Sequence, residues 1–168
     1  MASYKIRSIV LKNATFSEAD KMVTLFSRER GKLKVIAKSS RKIPSRLGGR
    51  VEPFTYADFF IAQGSNIDII SQVEVLESFQ RMRQEESTLM PGLYLLKLIE
   101  SGTVIGQHNP QLFDLLLAAL LELKISNDPR KLVKDFIYNF MRIEGIYKQG
   151  INAMDALSDH VGRDLRKW

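Results

Sequence analysis

The chain has 168 residues, of which 45% are hydrophobic and 26% charged, and its formal net charge is +6 at pH 7. This composition excludes a disordered chain and leaves room for one core or two small ones. The absence of cysteine excludes a disulfide framework and a thiolate zinc site. No signal peptide is visible, and the most apolar stretch, Leu112 to Leu123, is too short to span a membrane. We therefore expect a soluble, cytoplasmic protein.

The positive charge is concentrated in the first half of the sequence. Residues 1–84 hold fifteen Lys and Arg against eight acids, whereas residues 85–168 hold ten against eleven. This asymmetry predicts two domains with different roles, 1–84 and 85–168, of which the first meets an anionic polymer such as a nucleic acid.

Five strands are predicted before residue 80 from alternating hydrophobicity. Arg30 and Gly31 make a hairpin of the second and third strands, and Gly64 to Asn66 provides turn residues between the last two. Five short strands with one long loop favour a partly open barrel of the OB type over a sandwich, which commonly needs seven. The predicted strands are 4–11, 22–26, 32–37, 54–63 and 67–79.

The stretch from residue 28 to residue 50, which contains the third strand and the long loop after it, is strongly basic. Nine cations lie between residues 28 and 50, against the single acid Glu29, and Ser39, Ser40 and Ser45 add hydroxyl donors suited to phosphate oxygens. A run of almost unmixed sign predicts a surface that follows a nucleic-acid backbone, although a solubilising charge run is the alternative. The nine cations are Arg28, Arg30, Lys32, Lys34, Lys38, Arg41, Lys42, Arg46 and Arg50.

Four aromatic residues come directly after the basic loop. On a strand, Phe54, Tyr56 and Phe60 would share one face while Phe59 points to the other. A ring outside the core could stack on an unpaired base, and Tyr56 is our candidate for that contact. In the alternative interpretation all four rings fill the barrel.

The hydrophobic period becomes helical in the second half. A first helix is expected around Leu89 to Ile99, with Pro91 in its first turn. Asn109-Pro110 and Asp128-Pro129 each combine a capping side chain with proline at the first helical position, and the second of these helices should stop near Gly145.

A weaker apolar stripe predicts one more helix over residues 152–166. Together the elements predict an α+β fold, in which an N-terminal five-stranded OB-fold barrel is followed by an all-α helical domain. The sequence offers little support for catalysis, because neither His108 nor His160 has a patterned partner and Gly48-Gly49 lacks the spacing of a phosphate-binding loop. We expect no enzyme activity, no metal and no cofactor.

Several elements of the first half, taken in order, closely resemble the RecO family of bacterial recombination-repair proteins. Acids Glu18 and Asp20 belong to this pattern, and we expect them to hold Lys21 or the basic loop in place rather than to touch phosphate. The elements are Ile9 to Lys12, Phe16 to Lys21, Val23 to Phe26, Arg30 to Lys38, Ser45 to Gly49 and Glu52 to Phe54.

The resemblance implies binding to single- and double-stranded DNA at the bacterial nucleoid, annealing of complementary strands, and work with RecR and single-stranded-DNA-binding protein in loading RecA. It assigns the DNA surface to the third strand and the basic loop. Many relatives continue into a four-cysteine zinc module, whereas this chain lacks cysteine and finishes at Trp168, so we expect a short form without that module. The DNA-binding candidates are Arg28, Lys32, Lys34, Lys38, Arg41, Lys42, Arg46, Arg50 and Tyr56.

A partner surface is predicted in the helical half. A groove between residues 112–121 and 136–147 could receive an acidic-hydrophobic peptide, and the resemblance suggests the tail of single-stranded-DNA-binding protein. A closed core with surface charges is the alternative. Two other functions also stay open: an adaptor that binds acidic peptides with only incidental DNA contact, and a small nucleic-acid enzyme. The cations available to the peptide carboxylates are Lys124, Arg130, Lys131 and Arg142.

Overall fold

A computed structural model describes residues 2–146, together with 154, 155 and 158. The chain forms two compact units. The barrel unit consists of Met1–Phe79 and Val104–Pro110, and the helical unit of Gln80–Thr103 and Gln111–Trp168. The units thus divide after Phe79, not after Gln84, and the chain returns from the helical unit to the barrel unit for seven residues.

The five predicted strands are confirmed, and they close into a barrel in the order β1, β2, β3, β5, β4. Neighbouring strands are antiparallel except for β3 and β5, which pair in parallel. This is the five-stranded OB architecture expected from the sequence. The strands are β1 Ser3–Thr15, β2 Lys21–Ser27, β3 Gly31–Ala37, β4 Tyr56–Ala62 and β5 Asp68–Glu77, with a short 3-10 helix at Gly48–Val51.

The barrel core follows from the two-residue period of its strands. Val23 and Leu25 of β2 lie opposite Val35 and Leu33 of β3, and Phe59 of β4 is fully buried. Because one face of each strand points inward, the intervening residues lie on the outer face of the barrel. That alternation places the cations of β3 outside the core.

The segment Val104–Pro110 lies against the start of β3. Ile105 forms a parallel bridge with Lys32, and the Gly106 amide donates to the Lys32 carbonyl at 2.9 Å. Gly31 has a φ of +69°, and a Cβ at that position would lie 1.9 Å from the Gln107 carbonyl oxygen. Glycine is therefore required where this segment crosses the hairpin.

The helical unit contains α1 Gln80–Gln84, α2 Glu86–Gly102, α3 Pro110–Leu123 and α4 Pro129–Glu144. The short α1 was not predicted. The expected position of Pro91 was wrong: α2 begins at Glu86, so proline is its sixth residue. Within residues 2–146, no helix has both the length and the apolar character needed to cross a membrane.

The predicted ends of α4 are confirmed. The Asp128 side chain accepts a hydrogen bond from the Lys131 amide at 3.2 Å, and Gly145 ends the helix in the left-handed region at φ +70°. Of the further helix predicted over 152–166, Met154, Asp155 and Ser158 are helical, and the other positions lie outside the described residues.

Candidate nucleic-acid interface

Strand β3 carries two lysines on the outer face of the barrel, but only one of them is exposed. Lys34 is exposed to solvent, whereas Lys32, whose backbone pairs with Ile105, is only 6% exposed. The sequence placed both side chains in the DNA surface. Lys34 is exposed and stays a candidate, whereas Lys32 is buried where a segment more than seventy residues later in the chain pairs with that part of the strand.

The basic loop, residues 38–47, leaves the end of β3 and is ordered by its own serines. The Ser40 hydroxyl donates to the Ala37 carbonyl at 2.8 Å, and the Ser45 hydroxyl accepts from the amides of Leu47 and Gly48, each at 3.1 Å. Leu47 belongs to the barrel core. Both serines therefore shape the loop. Ser40 uses its hydroxyl donor inside the protein, which differs from the phosphate-donor role expected for it, whereas Ser45 only accepts in these bonds and keeps its O–H donor.

Four cations on β3 and the basic loop are exposed and have no side-chain hydrogen bond or ion pair to any of the described residues. A cation without an internal carboxylate partner keeps its full attraction for phosphate, and each phosphate contact releases bound counterions from DNA. These residues form what we call the open cation set: Lys34, Lys38, Lys42 and Arg46.

Two arginines beside the open cation set have internal contacts as well. Arg41 donates through Nη1 to the Ser17 carbonyl, and Arg50 donates through Nη1 to the Val73 carbonyl at 3.3 Å. Because a guanidinium has five N–H donors, each side chain retains donors for an anion after these bonds are made. Arg41 and Arg50 therefore combine a structural bond with a free charge.

The nine-cation run does not form one continuous surface. Arg28 and Arg30 lie in the turn between β2 and β3, and the seven residues of β3 separate this turn from the basic loop by about 20 Å. The Arg30 guanidinium lies 4.0 Å from the centroid of the Tyr4 ring. The run predicted from sequence is thus divided between the two ends of one strand.

The aromatic residues of β4 are divided between the core and the outer face. Phe59 fills the barrel, while Tyr56 and Phe60 are half-buried on the outer face. Phe54 precedes the strand, has a positive φ of 79° and is buried, so the strand period does not apply to it as predicted. Tyr56 pairs with Ile9 of β1 and with Glu77 of β5, so it lies on a different strand from Lys34 of the open cation set.

Next to Tyr56 and Phe60, the outer face carries a carboxylate that neutralises two cations. Arg7 donates through Nε and Nη2 to the two oxygens of Asp58 at 2.8 and 3.0 Å, and Lys5 Nζ lies 3.4 Å away. The hydrogen bonds from Arg7 hold the pKa of Asp58 below its ordinary value. Lys5 and Arg7 are thus paired, unlike the open cation set.

The β1–β2 turn, residues 16–20, is attached to the start of the basic loop. Asp20 accepts from the Ser39 amide at 2.8 Å, and the Arg41 amide donates to the Ala19 carbonyl at 3.0 Å. Asp20 therefore holds the loop, as expected. Lys21 pairs with neither predicted acid: its Nζ lies 3.1 Å from Glu52.

Sequence reasoning missed Phe16, the first residue of this turn. Its side chain is 50% exposed, although phenylalanine is usually buried. The available signal was an aromatic residue directly before the polar segment Ser17 to Asp20, where no core position is expected.

The partner surface was predicted in the helical unit, where α3 and α4 line an open cavity of about 110 Å³. Arg130 and Lys131 are exposed at the start of α4, and Lys124 is half-buried just after α3. Arg142 lies about 18 Å further along α4, over the Tyr138 ring, so the four predicted cations do not form one cluster. The cavity is lined by Leu115, Ala118, Ala119, Glu122, Leu132, Asp135, Phe136 and Asn139.

The carboxylates of Glu122 and Asp135 make this cavity less suited to an acidic peptide than the sequence suggested. His108 is exposed in the segment 104–110, and His160 lies outside the described residues. Among the residues that the structure describes, no group of three or more His, Asp or Glu is placed to hold a metal ion.

Comparison with known proteins shows which family this chain resembles. A protein family described as Recombination protein O N terminal matches residues 1–79. The DNA repair protein RecO of Desulforamulus reducens is 37% identical over 127 residues, which cover 76% of this chain and 50% of the relative. That of Bacillus pumilus is 35% identical over 124 residues, covering 74% and 48%.

A third relative aligns over nearly the whole chain. The DNA repair protein RecO of Caldicellulosiruptor saccharolyticus is 30% identical over 163 residues, which cover 97% of this chain and 67% of the relative. The chain spans about half the length of most of the curated relatives described here.

Proposed function

The chain belongs to the RecO family, and from this membership we propose that it is a DNA-binding protein of bacterial DNA repair and recombination without enzymatic activity. The observation that carries the proposal is the open cation set. Its four side chains lie on one strand and the adjoining loop, and none is neutralised by a described residue. Arg41 and Arg50 add charge to the same surface.

We propose that this surface holds the sugar-phosphate backbone of both single- and double-stranded DNA. Phosphate contacts carry no sequence information, so binding through them is independent of sequence and strongly dependent on salt. The position of the surface also supports the proposal, since OB folds bind oligonucleotides beside the β1–β2 loop and on strands β2 and β3.

Strand annealing would follow from the same charge. Two complementary strands repel each other through their phosphates, and a protein that neutralises both backbones lowers that repulsion. We propose that the exposed loop cations serve this purpose, with base pairing itself left to the strands. The role needs no covalent chemistry, which agrees with the scarcity of patterned catalytic groups in the sequence.

The proposed partners follow from the family. They are RecR and single-stranded-DNA-binding protein, with RecA loaded onto DNA that the latter has coated, all at the bacterial nucleoid. For the peptide tail, the support in this chain is the apolar lining of the α3–α4 cavity, including Phe136, and the exposed Arg130 and Lys131. Glu122 and Asp135 at the same cavity weigh against it.

A salt titration tests the DNA-binding proposal. Replacing Lys38, Lys42 and Arg46 together by alanine should reduce the slope of log K against log salt by roughly two to three units, because three phosphate contacts are lost. None of the three side chains makes a hydrogen bond or ion pair with a described residue, so folding should be little affected. Fluorescence anisotropy of a labelled oligonucleotide at several salt concentrations measures the slope.

The matched control removes three cations from the helical unit. Arg81, Lys97 and Lys134 are exposed on helices, where alanine is well tolerated, so their joint replacement changes the net charge equally. The control should leave the slope nearly unchanged. Equal slopes for the two triple variants, both folded by circular dichroism, would rule out the basic loop as the binding surface.

A second candidate function is an adaptor that binds acidic peptides and contacts DNA only incidentally. The α3–α4 cavity is the observation that favours it. Calorimetry with an acidic, phenylalanine-ending peptide should give heat that disappears in Ala118→Trp, which would fill the cavity. Peptide binding in protein that shows no salt-dependent DNA binding would favour the adaptor, whereas DNA binding without peptide heat would exclude it.

A further inference from the structure

Phe16 differs from every other phenylalanine in the chain. All nine phenylalanines lie among the described residues, and Phe16 alone is exposed, at 50% of its surface. Phe60 is half-buried and the other seven are buried. A ring that keeps half of its surface exposed gains only part of the stabilisation that burial would give, and the exposed part stays accessible to a ligand.

The turn that carries Phe16 is held by its own hydrogen bonds. The amides of Phe16 and Ser17 both donate to the Asp20 carbonyl, at 3.0 and 3.2 Å, and the Asp20 amide donates to the Ser17 hydroxyl at 3.2 Å. Three such bonds order the backbone of the turn and fix the direction of the Cα–Cβ bond from which the ring extends. Little ordering of the backbone is therefore needed when a ligand contacts the ring.

The same turn is bonded to a cation of the basic loop. The Arg41 guanidinium donates to the carbonyl of Ser17, the residue directly after Phe16, and the Arg41 amide bonds to Ala19. Arg41 retains unused N–H donors, and Lys42 follows it with no described side-chain partner. The turn that carries the exposed ring is thus bonded directly to an arginine of the basic loop, although Phe16 and Arg41 are 25 positions apart in the sequence.

We propose that Phe16 is a base-stacking platform that makes this surface prefer unpaired DNA. Aromatic rings beside a positively charged groove are the means by which proteins hold single strands without reading their sequence. In this arrangement the ring takes the face of a base while Arg41 and Lys42 hold an adjoining phosphate. The inference rests on the proposed DNA-binding function and deepens it by naming the residue that distinguishes strand types.

The preference follows from the accessibility of the base faces. In a duplex the bases are stacked on one another, and a ring on the protein surface meets only backbone and groove edges. In a single strand a base can be splayed out and stacked on the ring. Phe16 should therefore contribute to binding of single strands and add almost nothing to binding of duplexes.

The first test compares Phe16→Ala with the conservative Phe16→Tyr. Phe16→Ala should weaken binding of a single-stranded oligonucleotide by about tenfold, while duplex affinity and the salt slope stay unchanged. Phe16→Tyr should retain most of the affinity, because its ring also presents a π face. Phe16→Leu, which keeps apolar bulk without a ring, should behave like alanine and thus separates stacking from hydrophobic contact.

The second test reads the contact directly. Trp168 is the only tryptophan of the chain, so Phe16→Trp combined with Trp168→Phe places a single fluorophore on the turn. A base-bearing oligonucleotide should quench its fluorescence, whereas an abasic deoxyribose-phosphate chain should bind through its phosphates without equal quenching. Because the reporter is read in protein that binds DNA, this test does not depend on any loss of function.

The outcomes separate this inference from the proposed function. If wild-type protein binds both DNA forms with a steep salt slope and Phe16→Ala binds single strands equally well, the stacking role is wrong and DNA binding stands. A parallel loss for single strands and duplexes, or no difference in quenching between the two ligands, also overturns it. If wild-type protein binds no DNA, both proposals fail. Selective loss of protein partners with DNA binding intact would assign Phe16 to a protein contact instead.

Discussion

The barrel unit and the helical unit contain similar numbers of cations, but they arrange them differently. The barrel unit has 13 Lys and Arg against 8 acids, and the helical unit has 12 against 11. In the barrel unit the open cation set lies on one strand and the loop after it. Among the described residues of the helical unit, the exposed cations lie on three helices, and on α4 itself Arg130 and Arg142 are about 18 Å apart. A candidate anion surface is therefore defined by where unpaired charges lie together rather than by net charge.

In each unit a glycine allows a close contact that a Cβ atom would block. The glycine of the barrel unit should give the largest effect on stability. Gly31→Ala should destabilise the barrel unit by about 2 to 4 kcal/mol, because the residue has a positive φ and its Cβ would clash with the Gln107 carbonyl. Denaturant unfolding measures the change. Gly106→Ala is the matched control: its φ is +80° but the space around it is open, so it should cost about 1 kcal/mol.

Equal losses for Gly31→Ala and Gly106→Ala would mean that the crossing segment moves aside and that only backbone strain matters. A larger loss for Gly31→Ala would establish the close approach of residues 104–110 to the hairpin. Hydrogen exchange would show whether the loss is confined to the barrel strands or extends into α2 to α4, which would break the separation of the two units.

The next largest effect on stability is expected from Asp58, whose carboxylate neutralises Arg7 and Lys5 in the barrel unit. Asp58→Asn should destabilise the protein by about 1 to 2 kcal/mol at pH 7, since Arg7 and Lys5 are half-exposed and can be rehydrated. The folded-state pKa of Asp58 lies below its unfolded value, so its stabilisation is present above about pH 4 and is lost as the pH falls further. Wild type and variant should therefore converge in stability at low pH, and a constant difference down to pH 2 would contradict the pairing.

The helical unit has a counterpart to Gly31 that should show a smaller effect. A Cβ at Gly102 would lie 2.5 Å from Cζ of Phe140, whose side chain can shift more easily than a backbone carbonyl. Gly102→Ala should therefore cost about 1 kcal/mol, the clash being partly offset by the better helix propensity of alanine. In the background Phe140→Leu the same substitution should be neutral or stabilising, and an additive result in this double-mutant cycle would exclude the clash.

The smallest expected effect concerns the attachment of the basic loop to the β1–β2 turn. The test is whether two acid-to-alanine variants change the DNA affinity in opposite directions. Removing an acid near a DNA surface should strengthen binding, and Glu18→Ala should do so by about twofold. Asp20→Ala removes the same charge but also the acceptor for the Ser39 amide, so it should weaken binding of single strands by about threefold through loss of loop order. If both variants bind more tightly, Asp20 is an acid like Glu18 and the attachment has no role in binding.

The sequence by itself predicted the elements that depend on local order. Alternating residues such as Val23, Leu25 and Val35 marked the strands and their inward face, and Asp128 and Gly145 marked the ends of α4. These signals are reliable because strand alternation and helix capping depend on neighbours a few residues apart. The concentration of cations over residues 28–50 was visible for the same reason.

Which of those cations are exposed and free of internal partners was decided by tertiary structure. Strand β3 separates Arg30 from Lys38 by its own length, a segment from residue 104 onward covers Lys32, and Arg41 reaches back to Ser17. Each of these outcomes depends on pairing between residues far apart in the chain, which no local pattern records. The approach of the turn that carries Phe16 to Arg41 also depends on strand pairing, because the β2–β3 hairpin, in which Lys21 pairs with Ala37, brings the β1–β2 turn to the loop that follows β3.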